Sequence, residues 1–213
     1  IGFGDGTAFR LEGDRLRAGP VVTEAPRDRA ALLAALRRAL AHTPRPRPEL
    51  PGLNFHGGLV GVAGYDLGRR LRSLPAKRET DNLPEAIYVA PRSILVFDHL
   101  TRRVALLHDG DDSERLGLRR EVMAVLRGPL PPRPRPGGFA APIPSLGPEA
   151  FKDAVRRAQG HITAGDIYQL VLSVRFGGAT ELDPFEVYRA LRLLNPSPYM
   201  YFCDFDDIAV VGS

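Results

Sequence analysis

The chain has 213 residues, 44% of them hydrophobic and 25% charged, so it is long enough to bury a core and is not disordered or fibrous. Its 29 basic and 25 acidic residues leave a net charge of only +4. The arginines are expected to be distributed along helices and proline-rich segments and not concentrated on one face, so no nucleic-acid partner is expected. No run approaches about 18 consecutive apolar residues, and a single cysteine cannot close an internal disulfide; membrane-spanning helices and disulfide-stapled secreted domains are therefore excluded.

The first 128 residues are predicted to alternate strands and helices. Short strands are expected over 7–22 around a turn at Glu12–Asp14, and leucines at helical spacing predict a helix from Arg27 to Ala41. Glycines within the apolar stretch 57–66 indicate a buried strand that runs into a turn. The remaining predicted elements are strands over 86–90, 93–97 and 104–108 and a helix over 112–127.

A proline-rich stretch then interrupts the pattern. Residues 129–146 contain many prolines and a Gly-Gly pair, which cannot form regular structure, so we predict a linker there. The linker would separate an N-terminal domain, residues 1–128, from the start of a second domain, residues 147–213.

The elements of the second domain have sharper signals. A helix is predicted from Pro148 to Thr163, and residues 167–176, apolar on both faces, are predicted to form a central strand. Asp183-Pro184 predicts the start of a helix that runs to Leu194. Residues 199–203 and 208–211 then form a predicted hairpin. Because the last apolar run has no polar tail, we expect a longer protein to continue beyond it.

Conventional catalytic signatures are missing from the sequence. The histidines have no metal-binding spacing, and each is predicted to lie on the surface or in a loop: His42, His56, His99, His108 and His161. Cys203 is predicted to be a small core residue, and residues 204–207, three of them aspartates, are predicted to form a solvated hairpin turn. No signal peptide is visible at the start, so a cytoplasmic location is expected.

One segment, residues 195–202, suggests a binding site. Its two prolines, Pro196 and Pro198, fix the backbone of a turn that leads directly into Tyr199, Met200 and Tyr201. Flat aromatic rings beside a polarisable thioether suit a planar aromatic ligand. A tight helix-to-strand connection with core aromatics explains the same pattern, and physics alone leaves both interpretations open.

Five motifs, in the same order and spacing, resemble component I of the anthranilate synthases. Residues 57–66 and 96–99 resemble that family's N-terminal "GGxvGyxgYD" and "vfDH" signatures. Residues 165–173 resemble its "aGDifQvvlS" stretch, 191–200 its "LR..NPSPYM" motif, and 210–213 the start of its "vGSSPE" segment. Together the motifs extend over nearly the whole chain.

This resemblance implies an α+β fold in which antiparallel sheets form a β-sandwich flanked by helices. It implies conversion of chorismate to anthranilate and pyruvate with Mg²⁺ and with ammonia that a glutamine amidotransferase partner supplies. It also implies feedback inhibition by L-tryptophan, with Pro198, Tyr199 and Met200 contacting the inhibitor. Supporting positions carried over from the same motif are Asn195, Pro196 and Tyr201.

The resemblance also implies what this chain lacks. The family's Mg²⁺ ligands and catalytic residues correspond to positions beyond Ser213, so no catalytic or metal-binding residue is assigned here and the chain alone is expected to be inactive. No membrane partner is expected either.

Two alternatives remain. The large subunit of aminodeoxychorismate synthase shares both domains, although an intact NPSPYM motif favours anthranilate synthase. A non-catalytic module that senses an aromatic amino acid is the other alternative. Isochorismate and salicylate synthases are disfavoured because they generally lack the N-terminal domain that carries the GGxxG motif.

Overall fold

The computed structural model describes residues 1–4, 6–45, 52–53, 55–72, 83–132 and 137–213. The described chain divides into two compact units, Ile1–Leu130 and Pro131–Ser213. The division falls within the proline-rich stretch that was predicted to be a linker, of which residues 133–136 lie outside the described residues.

The N-terminal unit contains two antiparallel sheets. The strands are β1 (Gly2–Phe3), β2 (Thr7–Glu12), β3 (Arg15–Ala18), β4 (Val21–Glu24), β5 (Val60–Ala63), β6 (Ala86–Ala90), β7 (Ser93–Asp98) and β8 (Arg103–His108). The helices are α1 (Arg29–Ala41), α2 (Leu67–Leu71) and α3 (Asp112–Arg127). A five-stranded sheet has the order β4-β3-β2-β6-β5, and a three-stranded sheet has the order β1-β7-β8.

Most predicted elements of this unit are confirmed, and the differences have local causes. Helix α1 begins at Arg29 rather than Arg27 because the side chain of Asp28 accepts a hydrogen bond from the amide of Ala31 (2.8 Å) and caps the helix. The strand predicted to be buried, β5, is instead an edge strand of the sheet and is partly exposed. Its Gly61 is required because a Cβ there would overlap the carbonyl of Ile87 on β6.

The core of this unit lies between the five-stranded sheet and helices α1 and α2. Phe9 and Leu11 of β2 and Leu32 of α1 are at most 1% exposed. Each such side chain stabilises the fold by about 1.5–3 kcal/mol relative to leaving it in water. The other members of the cluster are Leu16, Ala25, Ala35, Ala39, Leu67 and Ala86.

A partly buried ion pair ties four segments of this unit together. The Arg70 guanidinium contacts both carboxylate oxygens of Glu85 at 2.6 Å. It also donates hydrogen bonds to the carbonyls of Gly13 and Pro26. Hydrogen bonding to Glu85 raises the pKa of Arg70 above its ordinary value. The short helix α2, which the sequence did not predict, is thereby fixed against β6 and the β2–β3 turn.

The C-terminal unit is built from local elements. Its helices are α4 (Pro148–Thr163) and α5 (Pro184–Leu194), and its strands are β9 (Ile143–Pro144), β10 (Phe176–Gly177), β11 (Tyr201–Asp204) and β12 (Ala209–Gly212). The strands pair as β9 with β10 and β11 with β12, both antiparallel. The two predicted helices and the predicted hairpin are therefore confirmed.

The predicted central strand over residues 167–176 is wrong. Its last residue, Phe176, belongs to β10, whereas residues 167–175 form no strand. Tyr168 is 92% exposed and Val171 is 82% exposed. A strand exists only where a neighbour completes its hydrogen-bond ladder, and within the described part of the chain no strand pairs with residues 167–174. The carbonyl of Arg175, directly before β10, accepts from the amide of Ser145 (2.7 Å), but this contact does not extend the strand.

The α+β class with antiparallel sheets is confirmed, since helices and antiparallel sheets occur together in the N-terminal unit and helices and two-stranded antiparallel sheets in the C-terminal one. Among the described helices, none has the length and apolar character needed to cross a bilayer.

Candidate functional site

The six predicted site residues lie together where helix α5 passes into strand β11. Asn195 ends the helix: its amide still donates to the carbonyl of Leu191 (2.8 Å), but its backbone angles (φ −141°, ψ 71°) are no longer helical. After Pro196, the Ser197 hydroxyl accepts a hydrogen bond from the amide of Tyr199 (3.2 Å). The loop is thus ordered by two prolines and by a local side-chain bond.

The start of this loop is tied to the end of the hairpin. The Ser213 hydroxyl donates to the carbonyl of Asn195 (2.9 Å) and accepts from the Asn195 side-chain amide (3.3 Å). Strand β12, which ends at Gly212, therefore holds the loop that precedes strand β11. This contact joins two of the sequence motifs, NPSPYM and the final Gly-Ser.

Aromatic rings pack helix α5 onto the hairpin. The ring centroid of Phe185 lies 5.3 Å from that of Phe202, in an edge-to-face arrangement, and 5.9 Å from that of Tyr188. Such pairs contribute about 0.5–1.5 kcal/mol beyond the apolar area that they bury. Because side chains alternate along a strand, Phe202 faces the helix and its neighbour Tyr201 faces the other side. Phe202 therefore packs against the helix, as the helix-to-strand interpretation predicts, although its ring is only half-buried.

The other aromatic residues of the motif are left for solvent or a ligand. Tyr199 is 84% exposed and Tyr201 is 46% exposed, while Met200 is half-buried. The ring of Tyr201 lies across Gly212, where a Cβ would overlap it. The loop thus presents a flat ring and a thioether on a rigid backbone, which is a surface that can stack on a planar ligand.

Among the described residues, neither the acidic turn nor the cysteine of the hairpin is arranged as a catalytic or metal-binding site. Burial raises the pKa of the Cys203 thiol, which keeps it protonated and unreactive. In the turn, the carboxylate of Asp204 accepts from the amide of Asp206 (3.2 Å), and Phe205 is buried beneath it. Across the described residues, no group of three or more histidine, cysteine, aspartate and glutamate side chains lies together in a way that could hold a metal ion.

The Asp98-His99 motif of the N-terminal unit serves a turn. The carboxylate of Asp98 accepts from the Thr101 hydroxyl (2.6 Å) and from the amides of Leu100 (2.9 Å) and Thr101 (3.1 Å). These bonds, the one from the Thr101 hydroxyl foremost, lower the pKa of Asp98. The motif therefore fixes the β7–β8 hairpin.

His108 corrects another prediction, because it is not a surface or loop residue. It lies in β8 with its side chain only 9% exposed, and its Nδ1 is 2.9 Å from the Ser93 hydroxyl. Its Nε2 has no hydrogen-bond partner among the described residues and lies 3.6 Å from Glu114, which pairs with Arg92 (3.2 Å). The hairpin register, set by the turn at Asp98, places Ser93 opposite His108 and was a usable sequence signal.

Arg92 and His108 also line a cavity of about 570 Å³, which sequence reasoning missed. Ile94 of β7, Leu106 of β8 and Arg115 of α3 also line this cavity. The cavity combines charged and aliphatic groups, and its size is within the range of small-molecule sites. It was missed because its residues come from segments far apart in the sequence.

Comparison with known protein families gives one match over almost the whole chain. The family described as chorismate binding enzyme matches residues 3–213. Among solved structures, the crystal structure of anthranilate synthase component I from Streptococcus pneumoniae superposes with a TM-score of 0.77 at 26% identity, covering 100% of this chain and 48% of that one.

Sequence relatives point the same way. Anthranilate synthase component 1 of Thermus thermophilus is 39% identical over 217 residues, covering 100% of this chain and 46% of the relative. That of Streptomyces coelicolor is 38% identical over 186 residues, covering 79% of this chain and 36% of the relative. The chloroplastic anthranilate synthase alpha subunit 2 of Arabidopsis thaliana is 36% identical over 189 residues, covering 78% of this chain and 30% of the relative. The chain spans less than half the length of these relatives.

Proposed function

The chain belongs to the family of chorismate-binding enzymes, and from this membership we propose that it is part of component I of an anthranilate synthase, a lyase. The reaction proposed for the full enzyme converts chorismate and ammonia to anthranilate and pyruvate in the cytoplasm. A glutamine amidotransferase partner would supply the ammonia. The observation that carries the proposal is the 39% identity to a component I relative along the entire chain.

The chain alone is expected to be inactive. A metal that polarises a leaving hydroxyl must be held by several oxygen ligands. The described residues bring together no such group, so these residues do not fit Mg²⁺ and we assign none of them as a metal ligand. We propose that magnesium is held, in the full enzyme, by residues that correspond to the other half of the relatives.

The loop after helix α5 is proposed as part of a regulatory site for L-tryptophan. Pro198, Tyr199 and Met200 would contact the inhibitor, and Asn195, Pro196 and Tyr201 would hold the loop. Support comes from the exposed ring of Tyr199 and from the hydrogen bonds that fix Asn195 to Ser213. A preorganised loop lowers the entropic cost of binding a small ligand.

A chimera tests the proposed reaction. This chain would replace the aligned residues of the Thermus thermophilus relative, and the product would be followed by anthranilate fluorescence with chorismate, ammonium and Mg²⁺. Anthranilate formation by the chimera, and none by the 213-residue chain alone, is expected. A chimera that folds but makes no anthranilate would contradict the assignment to component I, and turnover by the chain alone would contradict its proposed inactivity.

The regulatory proposal is tested in the same chimera. Tyr199→Ala should weaken inhibition by L-tryptophan about fivefold to tenfold, as expected when a stacking ring worth about 1–1.4 kcal/mol is removed. Tyr65→Ala is the matched control, because Tyr65 is 95% exposed and lies in the other unit. Equal inhibition of the Tyr199 and Tyr65 variants would contradict the assignment of Tyr199.

A further inference from the structure

Positive charge is concentrated in one stretch of the sequence, contrary to the even spread expected above. From Arg115 to Arg135 there are six arginines and a single acidic residue, Glu121. This stretch therefore carries more net positive charge than the whole chain, whose net charge is +4. The remainder of the chain is slightly acidic.

Helix α3 displays part of this charge on one face. Leu116, Arg120, Met123 and Arg127 follow one another at intervals of four, three and four residues, and Arg119 lies three residues from Leu116. These spacings place all five side chains on the same side of a helix. We name these five residues the α3 surface. Its three arginines, with Met123 and Ala124, line a groove of about 360 Å³.

The arginines of the α3 surface are not neutralised within the described part of the chain. Arg115, one turn earlier, pairs with Asp112 at 3.0 Å, three residues before it. The residues three positions before Arg119, Arg120 and Arg127 are leucine, glycine and alanine, which offer no carboxylate. All three arginines are exposed and have no ion pair among the residues that the structure describes.

Exposed apolar groups accompany these cations. Leu116 is 48% exposed and Leu126 is 53% exposed, and helix α3 has no fully buried residue. Arginine and methionine are enriched in protein interfaces, where the guanidinium pairs with carboxylates through two parallel hydrogen bonds. Single-stranded nucleic acid needs aromatic rings to stack its bases, and residues 115–138 contain no aromatic residue.

We propose that the α3 surface is a docking site for an acidic protein partner. The partner would present carboxylates to Arg119, Arg120 and Arg127 and an aliphatic side chain to the groove floor at Met123. Charge complementarity of this kind speeds encounter and selects the partner. The proposal is independent of the enzyme activity proposed above, because it rests on helix α3 alone.

The experiment uses the 213-residue chain and a fluorescein-labelled helical peptide of glutamate and leucine, with a glutamine-for-glutamate peptide as its neutral counterpart. Fluorescence anisotropy at low salt should give binding of the acidic peptide about tenfold or more tighter than of the neutral one. The triple variant Arg119→Gln, Arg120→Gln, Arg127→Gln should lose that difference. The matched control, Arg15→Gln, Arg29→Gln, Arg37→Gln, removes the same charge from exposed positions of the same unit.

The control variant should stay within about twofold of the unsubstituted chain. An equal loss in both triple variants would show a non-specific charge effect and overturn the proposal. Tighter binding of a 20-base-pair DNA duplex, or of phosphatidylserine vesicles, than of the acidic peptide would assign the surface to another class of partner. Circular dichroism and thermal melting of each variant, compared with the unsubstituted chain, show whether the total helix content and the fold are retained, so that loss of binding is distinguished from unfolding.

Discussion

The two units differ most in what they bury. In the described chain, the buried apolar side chains lie in the N-terminal unit, Ile1–Leu130, with the single exception of Phe205. Helices α4 and α5 of the C-terminal unit contain no buried residue, although both have an apolar stripe. Leu193 and Leu194 at the end of α5 are 85% and 84% exposed.

The difference shows that regular secondary structure can form without a buried core. Helix α4 forms from Pro148 to Thr163 because its caps and its periodicity are local. A core needs elements distant in sequence to meet, as β2, α1 and α2 do in the N-terminal unit. The C-terminal unit has helices and strands, but its helices α4 and α5 bury no residue against elements distant in sequence.

The largest effect should come from emptying the N-terminal core. Phe9→Ala should lower the free energy of unfolding by about 3–5 kcal/mol, because Phe9 is 1% exposed and its loss leaves a cavity. Phe202→Ala, which removes a half-buried ring of the C-terminal unit, should cost less. Hydrogen exchange followed by mass spectrometry measures each unit separately. Equal losses in the two units would contradict the difference in burial.

The ion pair between Arg70 and Glu85 should contribute less than the core does. Glu85→Gln should cost about 2 kcal/mol, because it leaves a guanidinium that is only 23% exposed without its charged partner. The control is Glu24→Gln, which breaks the exposed pair with Arg27 and should cost at most about 0.5 kcal/mol. Urea denaturation measures the free energy of unfolding of both variants. A loss for Glu85→Gln no greater than that of the control would mean that the pair between Arg70 and Glu85 does not contribute to stability.

In the C-terminal unit, the cap of helix α5 should matter on a smaller scale. The carboxylate of Asp183 accepts from the amides of Phe185 (2.7 Å) and Glu186 (3.4 Å), so Asp183→Ala should destabilise the helix by about 1 kcal/mol. Asp183→Asn keeps an acceptor and should retain most of the stability. Amide exchange in the first turn of α5 is the measurement. Unchanged protection in Asp183→Ala would mean that the helix start is held by packing instead.

The smallest effect should be a pH dependence from Cys203. Burial raises the pKa of this thiol. As the pH rises, the thiol therefore loses its proton at a lower pH in the unfolded state than in the folded state, which favours unfolding. Stability of the C-terminal unit should therefore be unaffected below about pH 8 and decline slightly above the ordinary thiol pKa of about 8.5. Cys203→Ser should abolish that decline, and reaction with iodoacetamide should be slower than for a peptide thiol. A thiol that reacts as fast as the peptide would mean that Cys203 is not protected.

Sequence reasoning was most successful where a signal and its structural consequence lie within a few residues. The bounds of α3 and α4, the cap at Asp183 and the β7–β8 hairpin all follow from periodicity, capping residues and turns. The rigid turn of the candidate site was likewise predicted from its two prolines. The hydrogen bonds between Asn195 and Ser213 were not, because they join residues 18 positions apart in the sequence.

By itself, therefore, the sequence determined four of the five described helices, the hairpins, the α+β class and the motifs that mark the family. Only the tertiary structure decided which predicted strands pair with a neighbour and which side chains are buried. Residues 167–175 have the composition of a central strand yet form none, because a ladder needs a second backbone alongside. The His108 side chain is largely enclosed, and Arg70 is held by Glu85, Gly13 and Pro26, because segments remote in sequence meet there. Local preferences are encoded residue by residue, whereas burial and pairing depend on which surfaces come together in space.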